Sequence, residues 1–277
     1  MILEQTIELL YEIPTGNVDR EKALEAVGEL KASLNSGEVR AAEQLSGEWR
    51  VNAWVKKGIL LAFRVGNLVR LPDGETPQFF DKDTMVLKNL TLENNVRVVP
   101  GGSAIRDGAF VAPGVVMMPP SYINIGAYVD EHTMIDSHVL VGSCAQVGKR
   151  VHLSAGTQIG GVLEPVGSLP VIIEDDVFVG GNCGIYEGAI VRHHAVIGAG
   201  VLLTGSTPVY DLVKKVVYRR SGTQSLVIPS HAVVIAGSRS INHPFAEEHH
   251  LAMYTPVIIK YRDEKTNAAT VLEEGLR

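Results

Sequence analysis

The chain has 277 residues and a formal net charge of -6, and 45% of its residues are hydrophobic. This length and composition allow one large or two modest domains with a substantial core. The basic residues are scattered, which excludes a nucleic-acid-binding footprint, and no apolar run reaches membrane-spanning length.

The first residues, MILEQTIELLYEI, lack the basic start of a secretory signal and carry glutamates instead. The two cysteines, Cys144 and Cys183, fit thiols that stay reduced. Both features predict a cytoplasmic protein.

Residues 1–95 are predicted to form a small helical N-terminal domain. Apolar stripes indicate one helix through Leu3, Ile7 and Leu10 and a second from Leu24 to Leu34, which Gly37 ends. A hairpin follows at 40–51 and turns at Ser46-Gly47. Asn52 is positioned to cap a third helix with Val55, Ile59 and Phe63 on one face, and 72–75 (PDGE) is a predicted turn.

Beyond this domain, aliphatic residues recur at a spacing of six. The first series is Val99, Ile105, Val111, Met117, Ile123, Val129, Ile135, Val141, Val147, Leu153 and Ile159. The second is Ile173, Val179, Ile185, Val191, Ile197 and Leu203. A period of six fits neither a helix nor a two-faced strand, and it is the signature of a hexapeptide β-helix. Three hexads make one coil, so the structural repeat is eighteen residues.

The β-helix is predicted to span residues 96–240, followed by a C-terminal capping segment at 241–277 with a strand candidate at 256–261. Two loops interrupt it, at 161–171 and 205–227. Ile159 and Ile173 are fourteen residues apart, which predicts two residues looped out of the coil. Loops of this kind often shape the site of a repeat protein.

Several positions expected to point outward from the coil are apolar. They are Val116, Met118, Tyr128, Met134, Leu140 and Ile190. A monomer would expose them as a broad apolar wall, which monomeric proteins avoid. Three flat-sided coils around a threefold axis would bury that wall, so we expect a homotrimer.

Five segments resemble one enzyme family in the same order along the chain. They are RAAEQLSGEWRVNAWVKKGILLAFRV (40–65), FFDKD (79–83), VRVVPGGSAIRDGAFV (96–111), YINIGAYVDEHTMIDSHVLVGSCAQVG (122–148) and VHLSAGTQIGGVLEP (151–165). The family is tetrahydrodipicolinate N-succinyltransferase of lysine and diaminopimelate biosynthesis. The related N-acetyltransferase shares the β-helix motifs but lacks the helical N-terminal segment.

The resemblance implies a left-handed parallel β-helix and a homotrimer with each site between two subunits. It also implies transfer of a succinyl group from succinyl-CoA to the amine of ring-opened tetrahydrodipicolinate, giving N-succinyl-2-amino-6-oxopimelate and CoA. Succinyl-CoA is then a co-substrate, and no permanently bound cofactor is expected.

The resemblance also points to two substrate-binding residues. Arg97, in VRVVP, would clamp a carboxylate of the acceptor, because a guanidinium can bind a carboxylate through two hydrogen bonds. Asp136, in TMID, would bind the attacking amine and help to remove its proton. Asp130 occupies the equivalent place one hexad earlier, and we interpret it as structural. A surface arginine and a solvated corner aspartate are the alternatives.

The chain departs from the family at 179–188, where VGGNCGIYEG replaces IGARSEVVEG. Asn182 replaces an arginine, and Gly184 replaces a glutamate proposed as catalytic in relatives. Glu187 matches the second glutamate of the motif and is a further catalytic candidate. The preference for succinyl-CoA over acetyl-CoA therefore stays open.

Glycine-rich turns would let the pantetheine arm of CoA approach the backbone. By resemblance the CoA-binding candidates are Gly198, Ala199, Gly200, Thr204 and Gly205, with ordinary corner glycines as the alternative. Basic residues of the 205–227 loop either meet CoA phosphates or are solvated; they are Lys214, Lys215, Arg219 and Arg220.

Nine histidines raise the possibility of a zinc site. His132 and His138 are six residues apart, so they lie on successive sides of the coil and diverge. By the repeat of eighteen, His152 is expected to stack on Met134 and Pro170. These positions form no ligand triad within one chain, and we expect no metal.

Two other functions stay open. The first is a tetrahydrodipicolinate N-acetyltransferase or another acyl-CoA transferase of the same fold. The second is a non-enzymatic β-helix that serves as an assembly module. Thiol release from each CoA thioester, with and without the dicarboxylate acceptor, separates these alternatives.

Overall fold

The computed structural model describes residues 2–71, 79–222 and 224–262. The helices are α1 (Leu3–Glu12), α2 (Arg20–Ser36), α3 (Ala53–Val65) and α4 (Pro244–Glu248), with 3₁₀ turns at Thr15–Asn17 and Leu92–Asn94. Among these residues no helix is long and apolar enough to cross a bilayer. The turn predicted at 72–75 lies outside the described residues.

The predicted N-terminal elements are present. Asp19 caps α2 by accepting hydrogen bonds from two backbone N–H groups, and Gly37 ends the helix with a φ of 77°. Strands β1 (Ala42–Leu45) and β2 (Glu48–Val51) form the hairpin, and β3 (Leu68–Leu71) pairs with β4 (Phe79–Lys82). The cap predicted at Asn52 is wrong in detail: Asn52 precedes α3, but its side chain donates to the carbonyl of Arg40 (2.9 Å).

The hexads form short parallel strands in three faces of a prism. The first face, which we call the extended face, contains β5 (Arg97–Val98), β8 (Val116–Met117), β11 (Met134–Ile135), β14 (His152–Leu153), β17 (Phe178–Val179) and β20 (Val196–Ile197). The open face contains β6 (Ala104–Ile105), β9 (Tyr122–Ile123), β12 (Leu140–Val141), β15 (Gln158–Ile159), β18 (Gly184–Ile185) and β21 (Leu202–Leu203). The covered face contains β7 (Phe110–Val111), β10 (Tyr128–Val129), β13 (Gln146–Val147), β16 (Ile172–Ile173), β19 (Ile190–Val191) and β24 (Val227–Ile228).

The second residue of nearly every strand points into the prism and is fully buried. Adjacent coils place Met117, Ile135 and Leu153 above one another in parallel register, as the repeat of eighteen requires. These residues and their small partners make one continuous hydrophobic cluster along the coil. The structure is therefore a parallel β-helix with the predicted interior.

The edges of the prism have a common backbone geometry. The third residue after an inward aliphatic residue has a positive φ at Gly108, Gly114, Gly126, His132, His138, Cys144, Arg150, Gly156, Asp176, Asn182, Gly188, His194, Gly200 and His231. A left-handed residue at each edge turns the chain sharply enough to start the next face. The strain of this conformation explains why about half of these positions are glycine.

Two details of the predicted register are wrong. Met117 pairs with Val98, so Val99 is not the first inward residue. Val147 pairs with Ile173, which is 26 residues later, so the 161–171 loop excludes eight residues from the coil instead of two. The sequence shows the interruption, but only the pairing of strands shows how many residues it removes.

The N-terminal segment packs along the covered face. Ala42 and Trp49 of the hairpin lie against Ile172 and Ile190, and the Arg40 guanidinium lies 3.6 Å from the ring centroid of Tyr128. Tyr128 and Ile190 are thus covered by their own chain and do not belong to the predicted exposed wall. The other four predicted wall residues lie on or beside the extended and open faces and are half-buried: Val116, Met118, Met134 and Leu140.

Additional strands extend the sheet of the extended face beyond β20, and the first two of them belong to the 205–227 loop. They are β22 (Val209–Asp211), β23 (Val216–Tyr218), β25 (Ala232–Ser240) and β26 (Ala252–Tyr261). The strand predicted at 256–261 is thus present and longer. The Tyr254 hydroxyl accepts a hydrogen bond from the N–H of Leu202 (2.6 Å), which satisfies a backbone donor at the end of the open face.

Candidate functional site

Arg97 lies at the beginning of the extended face. It pairs with Val116 in β8, and its side chain is exposed. Within the described part of the chain its guanidinium has no hydrogen-bond or ion-pair partner. An unpaired guanidinium at the end of a flat wall can bind a carboxylate that comes from a ligand.

Asp136 lies at the edge between the extended and open faces, which we call the Asp136 edge. Its backbone N–H donates to the carbonyl of Leu153 (3.0 Å), and one carboxylate oxygen accepts from the N–H of Ser137 (2.7 Å). The other carboxylate oxygen has no protein partner among the residues described. The turn therefore fixes the carboxyl group and leaves one oxygen available to an amine.

His152 is a functional candidate that the sequence interpretation missed. It points outward from β14 beside Met134, and its ring stacks on Phe178 with centroids 5.1 Å apart. The prediction that His152 stacks on Pro170 is wrong. The 161–171 loop excludes residues from the coil, so Phe178 takes that position beside His152. Burial lowers the pKa of His152, and the Asp136 carboxylate partly opposes that shift.

Glu187 lies on a different edge, between the open and covered faces, which we call the Glu187 edge. Its carboxylate accepts a hydrogen bond from the N–H of Gly205 (2.7 Å), one coil further on. Within one chain it is therefore separated from Asp136 by the width of the open face. Its observed contact is structural, and any part in one site with Asp136 would need a second chain.

The CoA-binding candidates divide between these two edges. Gly198, Ala199 and Gly200 lie on the Asp136 edge, and an added Cβ at Gly200 would meet no atom within 4 Å. Thr204 and Gly205 lie on the Glu187 edge, where the Thr204 hydroxyl bonds to Thr207 (2.7 Å). Strand β21 of the open face connects the two groups, so they form the two ends of one surface.

The basic loop residues follow these groups along the chain. Lys214 lies 4.1 Å above the ring of Tyr261, and Lys215, Arg219 and Arg220 are exposed. Arg220 lines a cavity of about 490 Å³ together with Glu164, Tyr186 and Glu187. This cavity opens at the Glu187 edge beside the 161–171 loop.

Gly184 lies on the open face, and the ring of Tyr186 occupies the space beside it. A Cβ at Gly184 would lie 2.7 Å from the Tyr186 hydroxyl, and one at Gly160 would lie 2.8 Å from the same ring. Neither glycine has a positive φ, so both are needed for space rather than for backbone conformation. Glutamate in place of Gly184 would therefore displace Tyr186.

The third edge, between the covered and extended faces, carries alternating charges, and we call it the charged edge. Lys149 pairs with Glu131 (3.1 Å), and Arg150 makes two hydrogen bonds of 2.7 Å to Asp176. His193 and His194 of this edge lie near Glu174 and Asp176. Among the described residues no group of three or more His, Cys, Asp or Glu side chains is placed to hold a metal ion.

Comparison with known proteins shows which family has this combination of a helical N-terminal segment and a β-helix. Residues 2–65 match the family model described as tetrahydrodipicolinate N-succinyltransferase N-terminal, and residues 170–205 match the hexapeptide repeat of succinyl-transferase. A 2,3,4,5-tetrahydropyridine-2,6-dicarboxylate N-succinyltransferase of Herminiimonas arsenicoxydans is 46% identical, over 91% of this chain and 89% of the relative. The chain belongs to the tetrahydrodipicolinate N-succinyltransferase family. A relative of the same name from Sodalis glossinidius is 42% identical over 99% of this chain and 98% of its own.

A solved structure supports the fold. A Campylobacter jejuni protein named a 2,3,4,5-tetrahydropyridine-2-carboxylate N-succinyltransferase aligns with a TM-score of 0.51 and 18% identity. The alignment covers 84% of this chain and 62% of that protein. The predicted resemblance and the predicted fold, a left-handed parallel β-helix with a small helical N-terminal region, are confirmed. The roles of the individual site residues stay predictions.

Proposed function

We infer that this protein transfers the succinyl group of succinyl-CoA to the amine of ring-opened tetrahydrodipicolinate. The products are N-succinyl-2-amino-6-oxopimelate and CoA, in lysine and diaminopimelate biosynthesis. The observation that carries this conclusion is the 46% identity over 91% of the chain with a relative of that activity. Both substrates are charged metabolites, so we place the reaction in the cytoplasm.

We further propose a homotrimer with three shared grooves. The covered face is occupied by the chain's own hairpin and Arg40, whereas the extended and open faces carry uncovered apolar residues such as Met134 and Leu140. Contact of the extended face of one chain with the open face of the next is heterologous and closes after three copies. Each groove then runs along the Asp136 edge.

In such a groove the acceptor is held by two groups. Arg97 binds a carboxylate of the ring-opened dicarboxylate, and the free oxygen of Asp136 orients its amine toward the thioester. Fixed orientation accounts for much of the acceleration expected for an acyl transfer between two bound substrates. Backbone N–H groups that face the developing oxyanion lower the barrier further.

The donor follows the glycine-rich end of the same edge. Gly200 has open space around its Cα, which allows a pantetheine arm to lie close to the backbone. Thr204 and Gly205 already bond within the chain, to Thr207 and Glu187 respectively. We therefore place the CoA arm against the Gly198–Gly200 turn, with the adenosine end toward the basic residues after β22.

A donor-by-acceptor thiol-release assay tests the activity. We expect CoA release that needs both succinyl-CoA and tetrahydrodipicolinate, with lower kcat/KM for acetyl-CoA. Equal or greater efficiency with acetyl-CoA would assign the chain to the acetyl-transferring alternative, which Asn182 and Gly184 keep open. No release with either donor would favour the assembly module.

Assembly has its own test. Sedimentation should give three times the chain mass of 29.9 kDa. Mixed trimers of inactive Arg97→Ala and inactive Asp136→Asn chains should recover activity if one site takes these residues from different chains. A fully active monomer at the assay concentration would contradict the shared groove.

A further inference from the structure

His152 lies on the extended face, one strand away from the turn that carries Asp136. The Asp136 backbone N–H bonds to Leu153, the residue next to His152, so the carboxylate and the imidazole belong to adjacent coils. His152 points out of the prism, as its strand partner Met134 does. Asp136 is partly exposed at the adjacent turn, and its carboxylate acts electrostatically on the imidazole. An acceptor amine held by Asp136 would therefore meet this imidazole on the same wall.

The imidazole is held in place without being hydrogen-bonded. Its ring stacks on Phe178 at an interplanar angle of 21°, and Phe178 packs in turn against Val196 and Val233. Within residues 2–71, 79–222 and 224–262, neither ring nitrogen of His152 has a hydrogen-bond partner. Both nitrogens are thus available to a ligand in the groove.

Other histidines of the chain do have partners for their ring nitrogens. His193 lies 3.4 Å from Glu174 and 3.3 Å from the hydroxyl of Ser230, and His243 caps α4. These residues already have structural contacts. The half-buried, stacked imidazole of His152 has no such contact among the described residues of its own chain. Its position beside the Asp136 edge places it at the border of the proposed groove, where it can act on a bound amine.

We infer that His152 is the proton acceptor of the acyl transfer, with Asp136 as the residue that positions the amine beside it. The inference rests on the proposed function. The amine lone pair forms the C–N bond at the thioester carbonyl, and His152 takes the proton that the nitrogen loses. When the C–S bond breaks, the electron pair leaves with sulfur, and His152 returns the proton to the CoA thiolate.

The surroundings of His152 favour this cycle. Burial beside Phe178 lowers the pKa of His152 and so favours the neutral imidazole, which is the form that accepts a proton. Asp136 is the charged group, among those described, that acts on its pKa, and its carboxylate stabilises the imidazolium formed in the reaction. An imidazole can accept a proton in one step and return it in the next.

The test removes the imidazole and follows kcat against pH. His152→Gln should lower kcat with succinyl-CoA by about 10²–10⁴-fold and change KM little, since general base catalysis contributes about that much. Wild-type kcat should fall on the acidic side as His152 protonates, and the residual kcat of the variant should lack that limb. His249→Gln, at an exposed histidine of α4's end, should behave like the wild type.

Two further measurements separate a chemical role from a structural one. Added imidazole should partly restore kcat in His152→Ala. Phe178→Leu keeps the imidazole but exposes it, so its pKa should rise and the acidic limb of kcat should move to higher pH. Wild-type kcat in His152→Gln, or an acidic limb that does not move in Phe178→Leu, would overturn the inference. Loss of the proposed function itself would appear differently, as a wild-type protein that releases no thiol.

Discussion

The charged edge and the Asp136 edge of the prism have the same type of backbone turn but differ in how their carboxylates are paired. On the charged edge, carboxylates pair with basic residues of a neighbouring coil, as Glu174 does with Arg192 (2.6 Å) and Asp176 with Arg150 (2.7 Å). On the Asp136 edge, one Asp136 carboxylate oxygen has no protein partner among the described residues. The residues further along are uncharged and mostly small, as in the turns at 154–157 and 198–200. The difference teaches that side-chain pairing, and not the turn itself, separates a structural edge from a candidate catalytic one.

Glu174 shows how complete the pairing is on the charged edge. It accepts hydrogen bonds from the Trp49 indole (2.8 Å), from Arg192 and from the N–H of His193 (3.0 Å). One carboxylate thus joins the hairpin of the N-terminal segment to two coils. Among the described residues, no carboxylate of the Asp136 edge is held by comparable side-chain contacts, so Asp136 can bind a group of the substrate.

The strongest test of the comparison is Arg97→Ala. We expect it to lose about 2–5 kcal/mol of transition-state stabilisation, because a carboxylate of the acceptor would be left without its partner. The measurement is kcat/KM for the acceptor at saturating succinyl-CoA. Arg50→Ala, at an exposed arginine of β2, serves as the control and should keep wild-type kcat/KM.

Asp136→Asn should lower kcat by about 100-fold without changing Tm, since the amide keeps the turn but loses the charge that orients the amine. Asp130 is a matched control because it makes the same turn contact on the charged edge, to the N–H of Glu131 (2.8 Å). Asp130→Asn should leave kcat unchanged. Equal losses in the two variants would remove the distinction between the edges.

In contrast to the Asp136 variant, Glu174→Gln should reduce the stability of the fold and leave kcat near the wild-type value. We expect a loss of about 1–3 kcal/mol in the free energy of unfolding at pH 7, as for a buried group that loses strong hydrogen bonds. The control is Glu248→Gln, at an exposed glutamate of α4. Urea unfolding followed by circular dichroism measures both.

The same variant has a predicted pH dependence. Burial alone would raise the pKa of Glu174, but hydrogen bonds from Trp49 and Arg192 hold it below its ordinary value. The stabilisation is therefore complete above the pKa of an unfolded glutamate, about 4.3, and is lost as pH falls through the lower folded pKa. The stability gap between wild type and Glu174→Gln should shrink in that acidic range.

Gly184→Ala should destabilise the open face by about 1–3 kcal/mol, because the added methyl group meets the Tyr186 ring. In the Tyr186→Ser background the same substitution should cost less, and a double-mutant cycle measures the difference. Gly28→Ala is the control, since a Cβ there meets nothing within 4 Å and favours the helix. If the two substitutions changed the free energy of unfolding additively, the cost of Gly184→Ala would not come from a clash with the Tyr186 ring.

The smallest effect is expected at an exposed ion pair of the charged edge. Asp176→Asn should change the free energy of unfolding by at most about 1 kcal/mol, because water competes for both partners of the Arg150 pair. The change should diminish further in high salt. A loss as large as that of Glu174→Gln would mean that the whole edge acts as one network.

Particular residues show where prediction from sequence ends. The period of six was sufficient to predict the interior column of Met117, Ile135 and Leu153, because each inward residue repeats the same local geometry. It could not predict that Phe178 stacks on His152, since that contact depends on how many residues the 161–171 loop excludes. The sequence therefore gives no signal that distinguishes His152 from the other histidines.

The sequence by itself determined the β-helix, the helical N-terminal segment and the family, since repeat period, turn residues and family motifs are local properties of the chain. Only the tertiary structure decided which outward residues remain available. Segments distant in sequence cover Tyr128 and Ile190 and pair the carboxylates of the charged edge. Among the described residues, Asp136 keeps one carboxylate oxygen without a protein partner, and His152 has no hydrogen-bond partner. Burial and pairing depend on which distant atoms come into contact, and a one-dimensional pattern does not contain that information.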